Sequence, residues 1–117
     1  MTARIGKCNR QTAETSITLE INIDGQGRHD IATGNGMFNH LLAQISRHGL
    51  FDLNISASGD SDVGWHHLVE DVGIVMGRAL KEAVGEGRGI RRMAHAYVPL
   101  DEALALAVVD FSGRGYS

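Results

Sequence analysis

The chain has 117 residues, 43% of them hydrophobic and 21% charged, with a formal net charge of −3, which fits one modest core and an ordinary globular balance. That charge, with no basic block, excludes nucleic-acid binding through phosphate neutralisation, and the single cysteine, Cys8, excludes an internal disulfide framework and suits a reducing compartment. No run approaches the roughly 20 apolar residues of a membrane span, the stretch MTARIGKCNRQTAET lacks the apolar centre of a secretory signal, and a cytoplasmic protein without membrane partners is expected.

Residues 14–23, ETSITLEINI, alternate, with Ile17, Leu19, Ile21 and Ile23 on one face, as a half-buried strand requires. DGQG turns the chain, and RHDIAT is its partner strand. TGNG opens a helix in which Met37, Leu41, Leu42 and Ile45 recur near 3.6-residue spacing, ended by Gly49. LFDLNISAS places Phe51, Leu53 and Ile55 on one side of another strand. A turn rich in Gly, Asp and Ser at 58–64 leads to a long helix, His66 to Val84. Val69, Val72, Ile74, Val75, Met76, Leu80 and Val84 carry its pattern, and Gly85 closes it. GEGRG is a loop, and AHAYVPL and EALALAVVDF are two more strands.

An internal echo runs across these elements. Glu14 over Glu102, an offset of 88, lays ETSITLEINIDGQG on EALALAVVDFSGRG. The glutamate matches, the alternating face matches (Ile17/Ala105, Leu19/Ala107, Ile21/Val109, Ile23/Phe111), and the G-x-G turn matches. Alternation followed by a glycine turn is common enough to arise by chance, so a repeat and a coincidence both stand on these residues alone.

The chemistry concentrates in GWHHLVED, residues 64–71. A helix turns about 100° per residue, so His66 and Glu70 share a face, His67 and Glu70 are also neighbours, and the two histidines diverge. Imidazole nitrogen with carboxylate oxygen suits a borderline divalent cation such as Mn, Fe, Zn or Co, and divergent histidines would serve two ions rather than one. The competing reading is a solvated helix start whose acids favour the helix dipole. His40, Gln44 and His48 recur at four-residue intervals along the preceding helix, either as its wet face or as further donors. Arg91 and Arg92 in GIRRM and Arg114 in SGRG stand beside glycines, an arrangement that suits either a phosphate or plain solvent. Glu14 and the acids Asp101 and Glu102 sit at strand starts, where one could act as a base or simply keep an edge soluble.

Taken together, RQTAET, DGQG, TGNGMFNHLLAQISRHGLFDL, GD, HHLVEDVGI, GRGIRRMAHAYVPLDEALA and VVDFSGR closely resemble the imidazoleglycerol-phosphate dehydratase family over nearly the whole chain, in order and with matching spacing. The resemblance implies an α+β fold, a ribosomal protein S5 domain 2-like unit with a four-stranded sheet and two helices on one face, repeated in tandem. Residues 1–90 would be the first unit and 91–117 the first strands of a truncated second. It implies a lyase of histidine biosynthesis that removes water from imidazoleglycerol phosphate to give imidazole-acetol phosphate. His40, His66, His67 and Glu70 match metal ligands for a pair of manganese ions. Glu14 matches the carboxylate beside the reacting carbons, and Gln44, His48, Arg92 and Arg114 match substrate contacts, the arginines at the phosphate. In that chemistry two cations act as Lewis acids toward the ring nitrogens, the electron-rich ring expels hydroxide, and a carboxylate moves protons. The implied partners are a small phosphate substrate and further copies of the chain, in trimer-based assemblies.

The chain departs from the family pattern at Asn39, usually aspartate, and at Asp62, Gly64, Trp65 and Leu68 around the histidine pair. Three functional readings follow: a manganese-dependent dehydratase whose site is completed by residues beyond this chain, a non-catalytic half-unit serving folding and assembly with weak metal binding, and, last, a zinc hydrolase. A half-unit would leave a sheet edge and a helix face uncovered, which favours self-pairing.

Overall fold

A computed structural model describes residues 2–117. In chain order the elements are strands β1 (Ile5–Gln11), β2 (Thr15–Asn22) and β3 (His29–Ala32), helix α1 (Gly36–Gly49), strand β4 (Asp52–Gly59), helix α2 (His66–Val84) and strands β5 (Met93–Leu100) and β6 (Ala103–Asp110). The chain divides into two units, one ending at Gly85 and the other running from Glu86 to Ser117.

In the first unit the four strands form one sheet in the order β1-β2-β4-β3. β2 pairs antiparallel with β1 and β4, and β3, expected as the partner of β2, instead runs parallel to β4, which lies between them. The register sets Ile17 opposite Ala57, Leu19 opposite Ile55 and Ile21 opposite Leu53, so the period-2 apolar positions of two central strands share one face. Both helices cover that face: Leu68, Val72, Val75, Ala79 and Ala83 of α2 and Leu42 of α1 join those strand residues in a single core. Each large aliphatic side chain taken fully from water contributes about 1.5–3 kcal/mol. The opposite face carries Thr18, Asn54 and Ser56, all exposed. The fold is α+β, with two helices on one face of a four-stranded sheet.

Strand β1 has no counterpart among the expected elements. Its inward positions are Gly6, Cys8 and Arg10, which offer no apolar alternation. Gly6 is buried because α2 lies directly on it: a Cβ there would sit 1.8 Å from the Ala79 carbonyl oxygen. Helix α1 also differs from expectation. Of its four periodic apolar residues only Leu42 is buried, while Met37, Leu41 and Ile45 are 65%, 51% and 43% exposed. Its second buried position is Ser46, whose hydroxyl lies 2.7 Å from the Phe51 carbonyl and 3.1 Å from that of Arg28 and donates to one or the other. Asn35 caps the helix start by accepting from the Phe38 N–H at 3.0 Å, and Leu50, in the left-handed region at φ 58°, ends it.

The second unit is a hairpin, β5 antiparallel to β6. Its pairing repeats that of β1 with β2 residue for residue at the 88-residue offset: Ile5↔Asn22 becomes Met93↔Asp110, and Gln11↔Ser16 becomes Pro99↔Leu104. The closing bonds match as well, Ile23 N–H to Arg4 C=O at 3.0 Å and Phe111 N–H to Arg92 C=O at 3.1 Å. Arg4 and Arg92 correspond at this offset but their acids do not: Arg4 forks onto Asp24, and Arg92 onto Asp110, the counterpart of Asn22.

Candidate functional site

Three segments of the first unit meet at one end of its sheet: the β1–β2 turn, the end of β4, and the start of α2. The turn is tied by Thr12, whose hydroxyl oxygen accepts the N–H groups of Glu14 (3.1 Å) and Thr15 (2.9 Å). The Glu14 carbonyl accepts the Asp60 N–H at 3.1 Å, which joins the turn to the segment that follows β4. An open depression of about 280 Å³ lies here, lined by Glu14, Thr15, Ser58 and Gly59 among others.

The first turn of α2 brings the histidine pair to this end. His66 Nε2 lies 3.4 Å from Glu70 Oε2, the i, i+4 contact the spacing implied, and both groups are exposed. His67 turns the other way: its Nδ1 is 2.9 Å from Asp60 Oδ2, and the two rings are 81° apart with centroids separated by 5.7 Å. The Asp60 hydrogen bond, then its charge, raises the proton affinity of His67 above the ordinary imidazole value, and the charges of Glu14 and Glu70 add to it. Asp60 was not legible as a site residue, because a Gly-Asp step after a strand reads as turn chemistry.

Asp71, the next residue after Glu70, points inward and not toward the site. It is 8% exposed, accepts from the Thr15 hydroxyl at 2.5 Å and from Arg10 Nε at 3.0 Å, and so ties α2 to β2 and β1. The Thr15 bond, and secondarily the Arg10 bond and charge, hold its carboxyl below the usual carboxylate range against the opposing effect of burial.

On α1, Gln44 links its neighbours in a ladder: its Nε2 is 3.4 Å from His40 Nδ1 and donates to the His40 carbonyl at 3.2 Å, while its Oε1 is 3.1 Å from His48 Nε2. Asn39 supports the loop before this helix. Its Oδ1 accepts from both the backbone N–H (3.0 Å) and the hydroxyl (2.6 Å) of Thr33, acceptor work that a carboxylate oxygen could also perform. Three of the other departures, Leu68, Gly64 and Trp65, have local settings too, and nothing in the structure explains Asp62. Leu68 is 2% exposed in the core, Gly64 takes φ 117°, a conformation that favours glycine, and the Trp65 indole lies over Gly34 in the loop before α1.

The sequence-derived candidates therefore fall into separate groups. Glu14, His66, His67 and Glu70 share the α2 end of the sheet, and His40, Gln44 and His48 share a face of α1. Arg92 and Arg114 belong to the hairpin unit, where Arg92 is held by Asp110 at 2.6 and 3.1 Å. Among the described residues no three His, Cys, Asp or Glu side chains converge to the spacing a metal ion needs. No helix among them is long and apolar enough to cross a membrane.

Comparison with known proteins bears on what this donor set belongs to. The family model for imidazoleglycerol-phosphate dehydratase matches residues 33–117. The chain is 57% identical over 112 residues to the imidazoleglycerol-phosphate dehydratase of Albidiferax ferrireducens, covering 96% of this chain and 55% of that protein. It is 54% identical over 117 residues to that of Dehalococcoides mccartyi, covering 100% and 58%. Among solved structures, that of the Staphylococcus aureus imidazoleglycerol-phosphate dehydratase superposes with a TM-score of 0.81 at 38% identity, over 96% of this chain and 60% of that one. The Pyrococcus furiosus structure, a complex with (S)-C348, gives 0.76 at 34% identity, over 92% and 56%. The chain thus spans little more than half the length of the relatives it matches. With the sequence motifs, the fold and these relatives in agreement, the chain belongs to the imidazoleglycerol-phosphate dehydratase family.

Proposed function

We propose that this chain supplies one part of a manganese-dependent site that dehydrates imidazoleglycerol phosphate to imidazole-acetol phosphate in histidine biosynthesis. The observation that carries the reading is the placement of His66, His67 and Glu70 on the first turn of α2 beside Glu14, in a chain of the dehydratase family. The donor chemistry fits the metal: imidazole nitrogens from His40, His66 and His67 and the Glu70 carboxylate suit a borderline divalent cation. When bound, such ions supply Lewis acidity toward the nitrogens of the substrate ring. The remaining work falls to the chain's own groups. Glu14, on a turn fixed by Thr12, moves the proton at the reacting carbons. Gln44 and His48 contact substrate, and Arg92 and Arg114 hold its phosphate through forked donors.

The reading requires donors from other chains or segments, since His40 and the α2 histidines belong to separate groups here. It therefore includes homo-oligomerisation, trimer-based, in a cytoplasmic setting. The 88-residue offset in strand pairing supports treating residues 1–90 as a first repeat unit and 91–117 as the opening of a second. A dehydratase assay with added manganese tests the proposal; no turnover from a folded, metal-loaded sample rejects activity for this chain. The same lack of convergence favours a second reading, a non-catalytic half-unit that folds and associates but binds metal weakly. Replacing His66 and His67 by alanine without a change in metal content would remove metal binding from both readings.

A further inference from the structure

We propose that Asp60 is a positioning residue for His67: its carboxylate keeps the neutral imidazole protonated on Nδ1 and so presents Nε2 as the donor atom at the α2 end of the sheet. That Nε2 meets a divalent cation rests on the functional reading above; the choice of tautomer does not.

The geometry assigns the role through what each atom can do. An ionised carboxylate only accepts hydrogen bonds, so the 2.9 Å contact between Asp60 Oδ2 and His67 Nδ1 exists for a neutral ring only when Nδ1 carries the proton. His67 Nε2 has no hydrogen bond or ion pair among the described residues, which leaves its lone pair available. The adjacent His66 uses the opposite ring atom, Nε2, toward Glu70. The two neighbouring imidazoles thus differ in which nitrogen is engaged, and Asp60 is what distinguishes them.

Asp60 is itself fixed. Its N–H donates to Glu14 and its carbonyl accepts from Val63 N–H at 3.0 Å, so both sides of its peptide backbone are held. Its second carboxylate oxygen, Oδ1, is buried without any hydrogen-bond partner. Such an oxygen is costly unless its position is imposed by something else. The only hydrogen bond of this side chain among the described residues is the one to His67, so the cost accompanies ring orientation and no other visible interaction. A carboxylate behind a ligating histidine fixes both the plane and the basicity of the ring, and its loss typically weakens metal binding by about 10–100-fold.

The test reads the tautomer directly. The metal-free chain, labelled with 15N in its histidines, is observed by long-range 1H–15N NMR at a pH where the imidazoles are neutral. The expected result is His67 protonated at Nδ1 in the wild-type chain, a shift toward Nε2 protonation in Asp60→Ala, and retention of Nδ1 protonation in Asp60→Asn, whose amide oxygen still accepts. A wild-type His67 protonated at Nε2, or an Asp60→Ala tautomer unchanged from wild type, overturns the proposal, and the wild-type measurement decides even if Asp60→Ala fails to fold. Titration with Mn2+ alone then tests the consequence: affinity falls about 10–100-fold in Asp60→Ala and less in Asp60→Asn. If wild type and Asp60→Ala bind Mn2+ equally, the presentation of Nε2 to the ion is refuted. If wild type binds none, the metal reading fails while the tautomer result still decides the role of Asp60.

Discussion

Replacing Gly6 by alanine puts the close approach of β1 and α2 to the test. The added Cβ would lie 1.8 Å from the Ala79 carbonyl oxygen, 2.7 Å from the Ala79 carbonyl carbon and 3.0 Å from the Ala83 nitrogen, so it would wedge against a backbone hydrogen bond of the helix. Backbone cannot swing aside as a flexible side chain can, so strand and helix must separate by about 1.2 Å or more, an overpacking that alone costs about 1–3 kcal/mol. Lifting α2 over two turns of its buried face opens on the order of 100 Å³ beneath Val72, Val75 and Ala79, about 2.4 kcal/mol at roughly 24 cal/mol per Å³. Since separation relieves part of the overlap while creating the gap, the two contributions overlap, and the expected loss is about 3 kcal/mol. Urea unfolding followed by far-UV circular dichroism measures it, with the slope of the transition checked for constancy. A Gly6→Ala chain whose stability lies within about 0.5 kcal/mol of wild type would show that the helix does not rest on this strand as described.

Glycine at an open helix position predicts the opposite sign. Gly77, inside α2, has nothing within 4 Å of its Cβ position, so Gly77→Ala is expected to raise stability of this chain by about 0.5–1 kcal/mol, measured by the same urea transition. Asp71 makes acid stability depend on Thr15: with its folded pKa below the ordinary 3.8, its contribution is full above that value and is lost as pH falls through the lower, folded one. Thr15→Val removes the leading cause of that depression, so urea midpoints collected from pH 6 downward should fall less steeply with acid than in wild type (roughly in the window below pH 5); an identical slope would contradict the assignment. Asp24, held by the side-chain and backbone hydrogen bonds of Arg4, is lowered to about 2. Carboxyl-detected NMR should find it titrating there, and returning toward 3.8 in Arg4→Ala.

Among the elements that sequence reading found, β2 and β4 are those whose burial is paid in aliphatic carbon. β2 and β4 were legible because Ile17, Leu19, Ile21, Leu53 and Ile55 alternate and are all buried. β1 was not, because its inward face is a glycine chosen for closeness, a cysteine, and an arginine that enters the interior only by pairing with Asp71. Periodicity announced that α1 is amphipathic, yet it could not say which residues would be covered: Met37, Leu41 and Ile45 remain exposed while Ser46 is buried with its hydroxyl between the Arg28 and Phe51 carbonyls, donating to one or the other. In the candidate site, the His66–Glu70 contact follows from helical spacing alone. Asp60 meets His67 only because the β4–α2 connection folds back, a tertiary fact with no local periodicity to signal it. Asp71, which sequence reading leaves among the acids of a solvated helix start, is instead a core ion-pair residue facing inward.

The paired hairpins have a consequence for depth. Position 94 is where the offset places the counterpart of Gly6, and it carries a methyl group; Ala105 and Ala107 stand where the first unit has Ile17 and Leu19. A layer seated on that face of β5–β6 would meet a methyl group on β5 where α2 meets bare backbone on β1, and shorter side chains on β6 than Ile17 and Leu19 give β2. One pattern of strand pairing is thus upholstered to two different contours, and a helix shaped for the first would rock on the second.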